Sequence, residues 1–157
     1  MSIIRCRPTE ILSNMKKRKL LKKQPALKSD KQQIRQILEQ WAEATRTGRN
    51  DEVLSNHAKD ALIYDVLPPL KYEGTAAYRK SWDEWQPETT GPGLFDLHEL
   101  KIAEGQDVGF AHGLIHCGGK HPDGSKFEDW VRATFCLRKI KGRWSITHQH
   151  ISMPMGQ

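Results

Sequence analysis

Three short patterns in the sequence bring reactive side chains to spacings that chemistry can use. His148-Gln149-His150 sets two imidazoles two residues apart, Arg132-x-Thr134 sets a guanidinium and a hydroxyl two apart, and Tyr64-Asp65 sets a carboxylate beside a phenol. In an extended strand, residues two apart return to the same face about 6.6 Å from each other. His148 and His150 could therefore share a metal if a third ligand converged on them. His112 and His116 lie about 13 Å apart along their own strand by the same measure, too far for both to join one ion. No Cys or Glu stands nearby at ligand spacing, so no metal site is expected, and the histidines read as pocket-lining or structural groups. A carboxylate at a pocket mouth beside aromatic rings has its pKa raised by desolvation, which suits Asp65 to general acid–base work, with His148 as the other candidate base. Asp65 equally suits a strand-end residue capping the turn before Pro68.

Other chemistries leave no trace. Gly-x-Ser-x-Gly is absent, no Cys–His pairing follows from spacing, and no glycine loop opens a helix as a phosphate cradle would. No cofactor is called for. Gly118-Gly119 and Gly124 read as loop glycines.

The elements that must position these groups are legible from periodicity. Ser29 with Gln32 fits a capping box, and Ile34, Ile37, Leu38, Trp41 and Thr45 follow at helical spacing until Gly48. Asn50 and Asp51 can cap a short second helix carrying Val53 and Leu54. Ala61–Asp65 reads as a strand stopped by Pro68-Pro69, and a third helix, Thr75–Trp85, follows Gly74. From Leu94 the period becomes two, giving strands over Leu94–Glu104, Val108–Cys117, Phe127–Lys139 and Arg143–Met153, with a loop at Gly118–Lys126. Helices first and a long antiparallel meander after them argue an α+β fold.

Strand alternation then sorts faces. Val131, Ala133, Phe135 and Leu137 form a core stripe. The opposite set, Trp130, Arg132, Thr134, Cys136 and Arg138, suits either the wall of a polar pocket or a solvent face. Trp144, Ile146, His148, His150 and Ser152 share one face of the last strand, and His116 shares one with Val108, Phe110, His112 and Leu114. In the helical layer, Trp41, Tyr78, Trp82 and Trp85 are either core packing or the wall of a pocket for a flat apolar ligand.

The chain has 157 residues, enough for one domain with a real core, and no apolar run approaches the ~20 residues of a membrane span. Three cysteines, Cys6, Cys117 and Cys136, make poor material for a disulfide framework, and no secretory signal pattern opens the chain; a reduced, cytoplasmic protein is expected. The net charge of +6 is unevenly spread. Residues 1–28 hold nine basic residues and one acid, whereas 29–157 hold 16 basic and 18 acidic. A basic, disordered leader over 1–28 and a folded domain over 29–157 are expected. The near-neutral body removes the electrostatic case for a nucleic-acid-binding domain and leaves polyanion binding or targeting only to the leader.

The closing run Gly142-Arg143-Trp144-Ser145-Ile146-Thr147-His148-Gln149-His150-Ile151-Ser152-Met153-Pro154 resembles the last strand of the nuclear transport factor 2-like superfamily, in its ketosteroid-isomerase-like or SnoaL-like branch. Arg132-x-Thr134 and the stretch Ala61–Tyr78, with its aromatic-Asp strand, Pro-Pro break and Tyr72-x-Gly74, are similar to that branch too. The likeness covers Ser29–Pro154. It implies a cystatin-like α+β barrel: a curved antiparallel sheet wrapped around a long N-terminal helix with two shorter helices, forming a cone with a cavity at its open end. It also implies homodimers packed sheet to sheet, and small-molecule binding with cofactor-independent isomerase, cyclase or dehydratase chemistry. A non-catalytic binding or assembly module is the alternative. Carried onto this sequence, the pocket candidates are Tyr64, Asp65, Arg132, Thr134, His148 and His150, joined by Trp41, Tyr78, Trp82, His116 and Trp130 as lining. The steroid isomerases add a second, protonated aspartate. No such acid is found on the expected pocket face here: Asp129 shares the face of Val131 and Ala133, and Asp96 is unplaced.

Overall fold

The computed structural model describes residues 27–84 and 89–156, the side chain of Asp83 excepted. The expected leader falls outside them save for residues 27 and 28, as do Cys6 and Trp85.

Helix α1 runs Asp30–Arg46. It starts where the sequence says it should: Ser29 Oγ accepts the Gln32 N–H at 3.2 Å, and Gln32 Oε1 accepts the Ser29 N–H at 2.9 Å. This reciprocal pair satisfies two otherwise orphaned donors. Gly48 follows the C-cap Thr47 in the left-handed region, φ 67°, where a glycine ends a helix at little cost. Helix α2, Asn50–Val53, is capped by Arg49 without a side-chain hydrogen bond, so neither Asn50 nor Asp51 does that work. Strand β1 spans His57–Tyr64, four residues earlier in its start than the alternation suggests. A two-residue strand β2, Tyr72–Glu73, leads into helix α3, Thr75–Glu84. Strands β3 (Leu94–Glu104), β4 (Val108–Lys120), β5 (Lys126–Ile140) and β6 (Arg143–Ser152) form the meander. Gly118 and Gly119 therefore belong to β4 and not to a loop.

The six strands form one open, curved sheet in the order β2-β1-β6-β5-β4-β3. Every neighbouring pair is antiparallel except β1 with β6, which is parallel. The sheet bends around α1, whose Ile34, Leu38, Trp41 and Ala42 recur at one helical stripe and are all buried. They pack on Ala111, Ile115, Val131, Ala133, Phe135, Leu137 and Ile146 from the inner face. Fully burying each of the Leu, Ile, Val and Phe side chains among them contributes about 1.5–3 kcal/mol. Trp41 meets Phe95 and Phe135 edge-on, at centroid distances of 5.3 and 5.0 Å.

Two irregularities let the sheet wrap. In β3 the register slips between His98 and Lys101, with Glu99 at φ 51°. Gly113 lies opposite, and a Cβ there would sit 2.8 Å from the His98 carbonyl oxygen. In β6 the register slips against β5 between the Cys136–His148 and Leu137–Ile146 pairs, which leaves Thr147 as the extra residue of a β-bulge. At the other end, Asp30 in the first turn of α1 accepts from Lys139 Nζ at 2.8 Å and from Trp144 Nε1 at 2.9 Å, tying the helix to the β5–β6 hairpin.

Gly113→Ala is expected to lower stability by about 1–3 kcal/mol, because the strand opposite must give way at its backbone. Urea unfolding measures it, as a lowered midpoint with unchanged slope; an unchanged midpoint would show that the β3 irregularity does not need the glycine.

Candidate functional site

The bulge at Thr147 decides which chemistry faces which way. Trp144 and Ile146 point inward, and strict alternation would send His148 and His150 after them. With one residue inserted, Gln149 and Ile151 take the inward positions and are buried, while the two imidazoles turn to the outer face. The expected face of Trp144, Ile146, His148, His150 and Ser152 is thus split between the two sides of the sheet.

On the outer face, His148 Nδ1 donates to the Leu62 carbonyl at 2.8 Å. Tyr64 stands edge-on to His148 and His150, at centroid distances of 5.0 and 5.5 Å. Thr134 lies between His150 on β6 and His112 on β4, and Arg132 lies beside Ser152 and Leu114. His116 stacks flat on Trp130 at 4.5 Å and reaches Glu128 at 3.1 Å. The structure therefore brings Tyr64, His116, Trp130, Arg132, Thr134, His148 and His150 together, but on the side of the sheet away from α1. Of the two faces expected for β5, the apolar stripe is the inner one. Asp129 shares that stripe, so the acid missing from the expected pocket face lies on the inner side, directly across from Cys117. Cys117 Sγ donates to the Asp129 carbonyl at 3.6 Å, and burial, then the Asp129 charge, pushes its thiol up.

Trp41, Tyr78, Trp82 and Asp65 belong to the other side. Asp65 accepts the Val66 N–H at 2.7 Å, the capping role, and its second oxygen accepts a short hydrogen bond from the Tyr78 hydroxyl. Tyr78 is buried against Tyr72 and Trp82, at centroid distances of 5.0 and 6.0 Å. Burial first, then the Asp65 charge, pushes its phenol well above the usual tyrosine range, so it donates as a neutral group. Trp82 packs against both this small cluster and the main core.

A buried polar group that alternation did not reveal lies between them. His57, at the start of β1, pairs through Nε2 with Gln149 Oε1 at 2.9 Å. Gln149 is 0% exposed, Trp41 4% and His57 9%. Trp41 Nε1, His57 Nδ1 and Gln149 Nε2 have no hydrogen-bond partner among the described residues. Gln149 neighbours Phe135 across the β5–β6 ladder, and Trp41 packs on the same Phe135 ring. The only advance sign was the three-residue step from Ile146 to Gln149, which strand alternation does not produce.

Two open concavities stand out among the described residues. One, about 380 Å³, lies along α1 and α2 by Glu39, Glu43, Arg49 and Glu52; the other, about 440 Å³, lies between α1 and the edge strand β3 by Arg35, Arg46, Phe95 and Asp96. Neither includes an expected site residue. Among the described residues, no three His, Cys, Asp or Glu side chains are grouped to hold a metal, and no helix is long and apolar enough to cross a membrane.

An open curved sheet around one long helix, closed by the Trp-x-Ile-x-His-x-His strand, defines a class: the chain belongs to the SnoaL-like domain family, whose model matches residues 34–156, within the nuclear transport factor 2-like superfamily. Among solved structures it is similar to an NTF2-like protein of unknown function from Pseudomonas putida KT2440, at 31% identity and TM-score 0.69 over 77% of this chain and 84% of that one. It shares the fold of a candidate dehydratase of the NTF2-like family from Streptomyces avermitilis, at 17% identity and TM-score 0.67 over 79% and 95%. It also shares the fold of the association domain of C. elegans CaMKII, at 14% identity and TM-score 0.65 over 78% and 95%. No curated protein matches the sequence.

Burial lowers the pKa of His57 from its ordinary 6.5, against the weaker pull of Gln149 the other way. The unfolded chain then binds the extra proton first, so this stabilisation is full above about pH 6.5 and is lost as pH falls from there toward the folded value. Unfolding midpoints taken between pH 8 and pH 5 should fall with a slope of at most about 1.4 kcal/mol per pH unit from this group. His57→Gln should flatten that part of the curve; an equal slope in the variant would place His57 in contact with water.

Proposed function

We propose that this chain is a small-molecule-binding protein that holds an uncharged, oxygen-bearing ligand on the inner face of its sheet, beneath α1 and α3. One observation carries the reading: three polar atoms, Trp41 Nε1, His57 Nδ1 and Gln149 Nε2, are buried without a hydrogen-bond partner among the described residues. A buried polar group left unpaired costs about 1–3 kcal/mol. A carbonyl or hydroxyl oxygen accepting from the indole and amide N–H groups removes that cost. His57 donates through Nε2 to the Gln149 carbonyl, so its Nδ1 lone pair accepts from a ligand hydroxyl. A neutral imidazole and an amide recognise a neutral partner, since a charge brought there would be desolvated without compensation.

Chemistry, where it occurs, is proton transfer in the manner of an isomerase, cyclase or dehydratase, with no cofactor. Asp65 is the acid–base group in this reading and the neutral Tyr78 phenol its hydrogen-bond donor. His148 does not take that part, because its ring lies across the sheet. The fold shared with a candidate dehydratase fits this class of reaction.

A second reading, a homodimeric assembly module, has its own observation in favour. The outer face leaves Val108 61%, Phe110 50% and Trp130 40% exposed beside its imidazoles, more apolar surface than a solvated sheet face needs. Likeness in fold to an association domain supports it. The two readings coexist, because they use opposite sides of one sheet.

Native mass spectrometry of the purified chain should show a bound molecule that dissociates on activation and is missing from Gln149→Leu. A Gln149→Leu variant that keeps the adduct would overturn the inner-face site. With the ligand identified, Asp65→Asn should slow turnover by about 100-fold or more while retaining the ligand; unchanged turnover would assign the chain to the non-catalytic class.

A further inference from the structure

Strands β1 and β6 run parallel, with Tyr64 beside His150, so the segments that follow them leave the sheet at the same end. The first is Val66-Leu67-Pro68-Pro69-Leu70-Lys71 and the second is Met153-Pro154-Met155. Between them they expose Val66, Leu67, Leu70, Met153 and Met155, with Leu70 92% exposed. Single apolar side chains scattered over a surface need no explanation, but a group of them at one end of a fold makes a patch. The loop is held in place. The Val66 N–H donates to Asp65 Oδ1 at 2.7 Å, and the Pro68 carbonyl accepts from the Tyr72 hydroxyl at 3.1 Å. Tyr72 is itself buried on Tyr78, and Ile63 completes that small core. Leu67 and Leu70 are thus turned to water by a segment whose anchors are buried. Lys71 follows the loop, and Lys120 and Lys126 face each other where β4 meets β5, at the same end of the sheet. The acids of this end, Glu73, Asp123 and Glu128, are engaged by Lys71, Ser125 and His116. Lysines and acids roughly balance there, and the excess of positive charge lies in residues 1–28, with nine basic residues and one acid.

We propose that this end of the fold seats on an anionic lipid bilayer: Leu67, Leu70 and Met155 enter the acyl boundary, and the basic segment ahead of α1 supplies the electrostatic attraction. The inference stands independently of the inner-face ligand. Such a contact needs no spanning helix, because apolar side chains reaching about 5–10 Å into the headgroup boundary bind a surface, and anionic lipid strengthens the binding. A stable surface anchor takes two signals, one apolar and one polybasic, and this chain carries both. The apolar side chains stand on two separate segments, as knobs that a fluid lipid layer takes up without a matching pocket. The basic cluster Lys16-Lys17-Arg18-Lys19 and Lys22-Lys23 is within reach of the same plane. Helix α1 begins at the opposite end of the sheet, where Asp30 meets Lys139, and its 17 residues are about 25 Å long. Residues 1–26 span up to about 85 Å of extended backbone, more than three times that length.

Vesicle co-sedimentation of the full chain tests this, with vesicles of phosphatidylcholine alone and of phosphatidylcholine with about 30% phosphatidylserine. The native chain should pellet with the anionic vesicles and stay in solution with the neutral ones. Raising the salt until the Debye length falls from about 10 Å to about 3 Å should release it. Leu67→Ser/Leu70→Ser, at exposed positions, should keep the native circular dichroism spectrum and bind the anionic vesicles at least about tenfold more weakly. Leu70→Trp should bind, and the emission it adds should shift to the blue on those vesicles. A native chain that does not pellet with anionic vesicles would overturn the proposal. Undiminished binding by Leu67→Ser/Leu70→Ser, or an unshifted Leu70→Trp, would overturn the part given to the loop and leave the basic segment alone as the anchor. Equal pelleting with neutral vesicles would overturn the electrostatic part. Self-association that Leu67→Ser/Leu70→Ser abolishes, in a chain that ignores vesicles, would assign the patch to a second copy and overturn the lipid surface.

Discussion

Ile34, Leu38 and Trp41 leave α1 with one face that water must not touch, and a flat sheet cannot cover it. The strands therefore have to curve around the helix, and curvature demands places where the ladder gives. Bulges supply it, since an extra residue bends a strand and sharpens its twist. The slip in β3 and the bulge at Thr147 in β6 are those places. Small residues on the inner side of β4 let the helix approach: a Cβ on Gly109 would lie 3.2 Å from Ile34 Cδ1.

The same bulge apportions the chemistry. By shifting β6 one residue, it takes two imidazoles out of the interior and puts an amide in. Around Gln149 the interior that results holds neutral donors and acceptors, while five of the imidazoles collect outside. A neutral interior suits recognition of a polar, uncharged molecule by geometry. Leaving Gln149 Nε2 and Trp41 Nε1 without a partner among the described residues costs stability that apolar side chains at the same positions would not. In the proposed reading, that is the cost a bound ligand's oxygen removes.

Much of the architecture was legible in the sequence because it rests on local periodicity. The Ser29–Gln32 box, the α1 stripe, the exact span of β3 and the buried stripe Val131–Leu137 follow from spacing alone. The site was less legible because it rests on register. A β-bulge at Thr147 carries no glycine or proline to mark it, so His148 and His150 read as partners of Ile146. His57 lies in a stretch, His57-Ala58-Lys59-Asp60, whose burial does not alternate, ahead of the strand that alternation starts at Ala61. Gly118 and Gly119 look like turn chemistry, yet a Cβ on Gly118 would lie 2.3 Å from the Phe127 carbonyl oxygen, so that glycine serves close strand pairing. Asp129 falls on the stripe that alternation gives it, and its meaning turns on which face looks inward, which alternation alone does not decide.

A nitrogen-edited NOE spectrum of the side-chain amides and rings settles the orientation of β6 most directly. The bulge at Thr147 predicts cross-peaks from the Gln149 amide to the His57 imidazole and the Phe135 ring, with the His148 ring contacting Tyr64. Cross-peaks joining the His148 ring to Trp41 and Phe135, with none from the Gln149 amide, would contradict it and return the imidazoles to the interior.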